Sequence, residues 1–187
     1  PDRIETATYM IIGFLAGGKL KLTNCIPEHI NAFLIKLREM RISFKIKEDT
    51  IYIEKQTKFK PAKVKTLVYP GFPTDIQQPI STLLTYATGE SIINDTIYEN
   101  RYLHGNELNK MGANTYIKNK KLYIVGPTKL KGCEVEATDL RCGACLVIAA
   151  LTAEGITTIT NAEHVLRGYE NITTKLKNIG TKIELVE

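Results

Sequence analysis

The chain of 187 residues has no tryptophan, three histidines, four cysteines, and no apolar run near the roughly 18 residues that a membrane-spanning helix needs. It does not read as a bilayer-spanning protein. His29, His104 and His164 lie far apart, and among Cys25, Cys133, Cys142 and Cys145 only the last two are neighbours. Zinc takes about four such ligands in paired spacing, so the sequence predicts neither a metal site nor a cofactor. The apolar run Leu146 to Leu151 follows Cys142 and Cys145, which reads both thiols as small core fillers. Nothing calls for an oxidising compartment, so a reduced cytoplasm fits. With 13 Gly and seven Pro, collagen and low-complexity disorder are excluded. An initiator Met is also missing: the chain opens Pro1-Asp2-Arg3, which reads as a cut chain. Residues 9–18 are apolar, but acidic Asp2 and Glu5 stand where a signal peptide would be basic.

What is present is ample core material, 43% hydrophobic residues against 24% charged, enough for one domain or two small ones. The net charge of +5 favours anionic partners. Its 19 lysines are scattered, however, with only Lys118, Lys120 and Lys121 crowded, so the charge reads as a solvated surface and no nucleic-acid partner is expected.

Internal repetition organises the chain. Leu15 to Asn24, Tyr86 to Asp95 and Thr152 to Asn161 each leave an apolar segment through Gly and alternate toward Asn or Asp. A second phrase recurs as Leu37-Arg38-Glu39-Met40, Leu108-Asn109-Lys110-Met111 and Leu176-Lys177-Asn178-Ile179. The reading is a single domain, 1–187, of three repeats at roughly 1–60, 61–128 and 129–187. Each repeat reads as strand, helix, strand, helix, strand, strand. The first helix of each copy is apolar on nearly all sides, with Gly as its C-terminal cap, so the three must sit inside with sheets around them. Thr6, Thr74-Asp75 and Thr138-Asp139 fall just ahead of these helices, where N-capping is the plain structural reading.

The phrases Pro70-Gly71-Phe72-Pro73-Thr74-Asp75-Ile76-Gln77-Gln78, Ile97 to His104, Ala137-Thr138-Asp139-Leu140-Arg141 and Leu166-Arg167-Gly168-Tyr169-Glu170 closely resemble the UDP-N-acetylglucosamine 1-carboxyvinyltransferase family, the MurA-type enolpyruvyl transferases. Asp2-Arg3-Ile4-Glu5-Thr6 extends the match to the start. The resemblance implies an α/β (α+β) fold, the inside-out α/β barrel domain of three units, here the C-terminal half of a two-domain enzyme. It implies transfer of enolpyruvyl from phosphoenolpyruvate to the 3-hydroxyl of UDP-N-acetylglucosamine with release of phosphate, the first committed step of peptidoglycan synthesis, in the cytoplasm and without a metal.

By resemblance, Asp75 is the base at the sugar hydroxyl and, with Ile97, contacts the sugar nucleotide, Ile97 through its backbone. Asp139 supports the proton chemistry or orients a cation. Arg141 and Arg167 face phosphoenolpyruvate, since a planar guanidinium suits a carboxylate or phosphate. Thr74, Glu99, Asn100, Arg101 and Leu140 support the site. The family's reactive cysteine lies on the other domain, so none of the four cysteines here is a nucleophile. The missing N-terminal domain is the expected partner, the fragment alone is expected to be inactive, and half a cleft should leave its Arg and Asp side chains exposed. Two other readings stand beside this one: a domain of enolpyruvyl-shikimate-phosphate synthase, and a non-catalytic RNA-binding or scaffold module of the same repeat fold.

Overall fold

Ile4, Ala7, Met10, Ile11 and Phe14 recur at helical spacing with apolar or small residues between them, so no face of this segment favours water. In the computed structural model, which describes residues 1–98 and 101–186, it forms a helix buried around most of its circumference. The elements run α1 (Arg3–Leu15), β1 (Lys19–Leu22), a 3-10 turn (Pro27–Ile30), α2 (Asn31–Glu39), β2 (Phe44–Lys47), β3 (Thr50–Glu54) and β4 (Lys63–Lys65). Then come α3 (Thr74–Thr85), β5 (Gly89–Asn94), α4 (Leu103–Lys110), β6 (Asn114–Lys118) and β7 (Lys121–Gly126). The last are β8 (Glu134–Glu136), α5 (Leu140–Ala150), β9 (Thr158–Thr160), α6 (Glu163–Leu166) and α7 (Ile172–Asn178).

Among the described residues, three sheets, ordered β1-β3-β2, β4-β5-β7-β6 and β8-β9, surround the central helices α1, α3 and α5. Pairs β4–β5 and β8–β9 are parallel, as an intervening helix requires, and the others are antiparallel. Inward residues such as Ile51, Ile53, Val64, Ile93, Leu122 and Ile124 close the core, while Tyr52, Lys63 and Lys65 alternate outward.

Of the three copies, the second shows the full strand-helix-strand-helix-strand-strand order. Among the described residues, the first shows no opening strand and the third no closing pair. In the third copy the second helix is also broken into α6 and α7, with Asn171 left-handed at φ 51 between them. Residues 181–186 carry an alternating pattern, yet among the described residues no strand lies beside them to complete a ladder.

Two details depart from the sequence reading. The helices end in right-handed caps at Ala16, Tyr86 and Leu151, and the glycines lie beyond them, Gly89 and Gly155 with positive φ in the turn to the next strand. And α3 is buried but polar, with Gln77, Gln78, Ser81, Thr82 and Thr85 all inside. Its hydroxyls bond to backbone carbonyls, Ser81 to Gln77, Thr85 to Thr82 and Thr82 to Cys145 of α5, which spares them the cost of burial without a partner.

The central helices run in one direction. Arg3 of α1 and Thr74 and Asp75 of α3 line one cavity, while Leu15, Tyr86 and Leu151, at the opposite ends of α1, α3 and α5, line another. Every N-terminus, with its free backbone donors and positive dipole end, therefore faces the same side of the molecule.

Candidate functional site

The expected helix caps are only partly found. Asp139 caps α5: its Oδ1 accepts from the backbone N–H of Arg141 at 2.7 Å and of Cys142 at 3.0 Å. On α1, however, the cap is Asp2, which accepts from Ile4 and Glu5, and Thr6 lies a turn inside with its hydroxyl on the Asp2 carbonyl. On α3, Pro73 occupies the cap position and has no side-chain acceptor, so Thr74 and Asp75 in the first turn are released for other contacts.

Asp75 uses that freedom to pair with arginines. Its Oδ1 accepts from Arg141 Nε at 3.1 Å and lies 3.8 Å from Arg101 Nη1, while Arg101 Nη2 lies 3.6 Å from Asp139 Oδ1. Asp139 Oδ2 accepts from Gln78 Nε2 at 3.0 Å. Arg141 also donates to the Tyr169 hydroxyl at 3.4 Å and lies over its ring, and Tyr169 shares a 3.0 Å hydrogen bond with Thr8 of α1. One cluster thus ties all three central helices together at their N-terminal ends.

Its electrostatics follow from these contacts. Burial works to raise the Asp139 pKa, but Gln78, the two cap N–H groups and Arg101 outweigh it and hold the carboxyl below the usual range. Burial likewise opposes the charge of Arg141, and Tyr169 and Asp75 more than restore it. The arginines are less exposed than expected, 15% for Arg141 and 22% for Arg101, because each guanidinium lies against a carboxylate. Two carboxylates and two guanidinium groups cancel, so an anionic ligand needs a further cation.

Arg3 is such a cation. It lines a cavity of about 150 Å³ with Leu67, Tyr69, Thr74, Asp75 and Ile97, and its guanidinium lies 5.0 Å over the Tyr69 ring. The two residues expected at the sugar nucleotide, Asp75 and Ile97, therefore share one cavity. The Ile97 N–H is already bonded to Asp95 Oδ1 at 3.0 Å, which leaves the carbonyl as its backbone group for a ligand.

Asp95 is the fixing point of that wall. It accepts from the hydroxyls of Thr66 at 2.6 Å and Thr74 at 2.7 Å, and from the N–H groups of Ile97 and Tyr98. Burial would raise its pKa, but these bonds hold it below the ordinary carboxylate range. Of the residues expected to support the site, Thr74 donates to Asp95, and Leu140 packs half-buried against the core.

Arg167 stands apart: it is exposed, just past α6, and makes no side-chain hydrogen bond or ion pair among the described residues, although Tyr169 two positions on joins the cluster. Glu99 and Asn100 lie outside the described residues. Cys142 and Cys145 are fully buried, and burial pushes both thiols well up, consistent with core filling. The contributions of Arg3, Gln78, Asp95 and Tyr169 were not assigned from sequence, although each lies within or beside a phrase already singled out there; the missing signal was tertiary proximity.

A family profile described as EPSP synthase (3-phosphoshikimate 1-carboxyvinyltransferase) matches residues 1–176. The chain belongs to the EPSP synthase family. Within this family it is 48% identical over 183 residues to UDP-N-acetylglucosamine 1-carboxyvinyltransferase 2 of Bacillus cereus, covering 98% of this chain and 43% of that protein. It is 49% identical over its whole length to UDP-N-acetylglucosamine 1-carboxyvinyltransferase 1 of Streptococcus agalactiae, of which it covers 45%. Among solved structures, the enolpyruvyl transferase NikO from Streptomyces tendae matches with a TM-score of 0.91 at 29% identity, over 98% of this chain and 44% of that one. An EPSP synthase from Acinetobacter baumannii, at a TM-score of 0.64 and 20% identity over 90% of this chain and 42% of that one, shows the fold alone. This EPSP synthase family chain spans less than half the length of these relatives. Its inside-out arrangement of helices and sheets is the enolpyruvyl transferase fold.

Proposed function

We propose that this chain forms one half of an enolpyruvyl transferase site that joins phosphoenolpyruvate to the 3-hydroxyl of UDP-N-acetylglucosamine, with release of phosphate, and that a second domain supplies the rest. The observation that carries the reading is the Asp75 cluster at the convergent N-termini of α1, α3 and α5, opening on the cavity shared with Arg3 and Ile97. Identity of 48–49% to proteins named for the sugar nucleotide favours it over shikimate phosphate as acceptor.

The chemistry forms a bond from the acceptor oxygen to C2 of phosphoenolpyruvate with a proton added at C3, then expels phosphate as a proton leaves. It requires a base at the hydroxyl and cations at carboxylate and phosphate. Asp75 suits the role of base, since Arg141 and Arg101 hold its Oδ1 while its Oδ2 accepts no hydrogen bond among the described residues. Asp139, with both oxygens bonded, orients Arg101 and acts through it. Arg3 faces the anionic part of the acceptor, and Arg167, not committed to the cluster, is left for phosphoenolpyruvate together with Arg141. Because Arg101 and Arg141 are neutralised by Asp75 and Asp139, this half has few cations left for two anionic substrates, and the isolated chain is expected to be inactive. On this reading the reaction belongs to peptidoglycan synthesis and is placed in the cytoplasm.

The test is phosphate release by the chain completed with the N-terminal half of the Bacillus cereus relative. Turnover with UDP-N-acetylglucosamine and none with shikimate 3-phosphate is expected. The reverse preference would install the shikimate enzyme instead, and specific RNA affinity persisting at moderate salt would favour the binding-module reading.

A further inference from the structure

Gln78 is a fully interior amide where an apolar side chain of the same size would fit with less penalty. It lies on α3 one turn past Asp75, is 1% exposed, and its Oε1 is buried with no hydrogen-bond partner among the described residues. A buried acceptor without a partner costs stability. What the amide achieves is one contact, the 3.0 Å donation from Nε2 to Asp139 Oδ2.

That contact has a defined consequence. Asp139 Oδ1 is held by the two cap N–H groups, so the Gln78 bond to Oδ2 fixes the rotation of the carboxylate plane. Arg101 reads that plane: its Nη2 lies 3.6 Å from Asp139 Oδ1 and its Nη1 3.8 Å from Asp75 Oδ1. Gln78, Asp139, Arg101 and Asp75 form a continuous chain that ends on the carboxylate facing the cavity.

We propose that Gln78 is a positioning residue of the transfer site, which locks Asp139 in the orientation that lets Arg101 bridge to Asp75. The contact stands on geometry alone; its catalytic consequence rests on the enolpyruvyl-transfer reading. The groups facing Asp139 are Gln78 from α3, with Asp75 beyond Arg101, Arg101 from the segment before α4, His104 from α4, and Arg141, Cys142 and Cys145 from α5. Burial keeps His104 and both thiols neutral near pH 7, so Gln78, Arg101 and the cap N–H groups are what hold the charge on Asp139.

The experiment follows the Asp139 carboxyl carbon by NMR during acid titration of the chain itself, wild type and Gln78→Leu, without substrate. Removal of the donor is expected to move its midpoint up by about one pH unit, the size of one charge-assisted bond. Gln78→Glu, which sets a second carboxylate against the first, is expected to move it further. If Gln78→Leu does not fold, Gln78→Asn, one methylene short of contact, carries the same expectation. An unchanged midpoint in a folded variant overturns the proposal.

In the chain completed with the N-terminal half of the Bacillus cereus relative, the acid limb of kcat/KM is expected to move up with that midpoint, and kcat is expected to fall about tenfold with little change in KM. A moved midpoint with an unmoved limb and unchanged kcat overturns the positioning role. Absence of turnover in the wild type would instead refute the enolpyruvyl-transfer reading, with the NMR midpoint still judging the Gln78 contact.

Discussion

Breaking the link between Asp75 and Arg141 should reveal how tightly the N-terminal ends of α3 and α5 are coupled. At 3.1 Å the pair has a gross attraction of about 5 kcal/mol for an effective dielectric of about 20. Arg141 is 15% exposed, but Asp75 is 40% exposed and keeps Arg101 at 3.8 Å, so screening and the spare partner reduce the measurable coupling to about 1–2 kcal/mol. Arg141→Gln should cost more than Asp75→Asn, because it also removes the donor to Tyr169 and the contact with its ring. For a domain of this size each kcal/mol lowers Tm by about 2–4 °C. The assay is a double-mutant cycle of Asp75→Asn and Arg141→Gln by urea denaturation at low salt. A coupling energy under about 0.3 kcal/mol would refute the claim that this contact joins the helices.

Two further outcomes follow from the buried groups. His104 is completely buried against Ser81, and burial lowers its pKa from 6.5 to about 3. Between these values the unfolded chain binds a proton that the folded chain does not. Stability should therefore fall as pH drops below about 6.5, by up to about 1.4 kcal/mol per unit from this group, before Asp95 and Asp139 begin to protonate. Denaturation from pH 7.5 to 5 should show this slope, and His104→Gln should flatten it; equal slopes would count against a neutral buried imidazole. Asp95→Ala leaves the hydroxyls of Thr66 and Thr74 and two backbone N–H groups without their acceptor, which should cost about 2–4 kcal/mol. Amide exchange at Ile97 and Tyr98 should quicken in this variant, and unchanged exchange would show that Asp95 does not hold the cavity wall.

The architecture was legible where hydrophobic period decides structure. Ile30, Phe33, Leu34 and Leu37 recur at helical spacing where the 3-10 turn runs into α2, and the alternation in Ser43 to Lys47 and Ile51 to Glu54 coincides with β2 and β3 within a residue. Legibility failed where a neighbour distant in sequence decides. The three Thr-bearing positions looked equivalent, yet Asp2, Pro73 and Asp139 share the cap position, and Asp75 and Arg141 correspond to each other two residues further on. That correspondence places a carboxylate and a guanidinium at matching points of adjacent helices, and no local pattern shows that they meet. The polar interior of α3 was hidden for the same reason: Thr82 and Gln78 find their partners on α5 and at its cap, more than 60 residues away. The tail Lys182 to Val186 alternates as a strand would, but alternation makes a strand only where a partner offers a ladder.

The most direct test of the Asp75-centred site is phosphate release from phosphoenolpyruvate, in the presence of UDP-N-acetylglucosamine, by the chain completed with a relative's N-terminal half, as wild type and as Asp75→Asn. The wild type is expected to turn over and Asp75→Asn to lose at least about a hundredfold in kcat, the share of a positioned base. Full activity of a folded Asp75→Asn variant would contradict the assignment of Asp75 as the base.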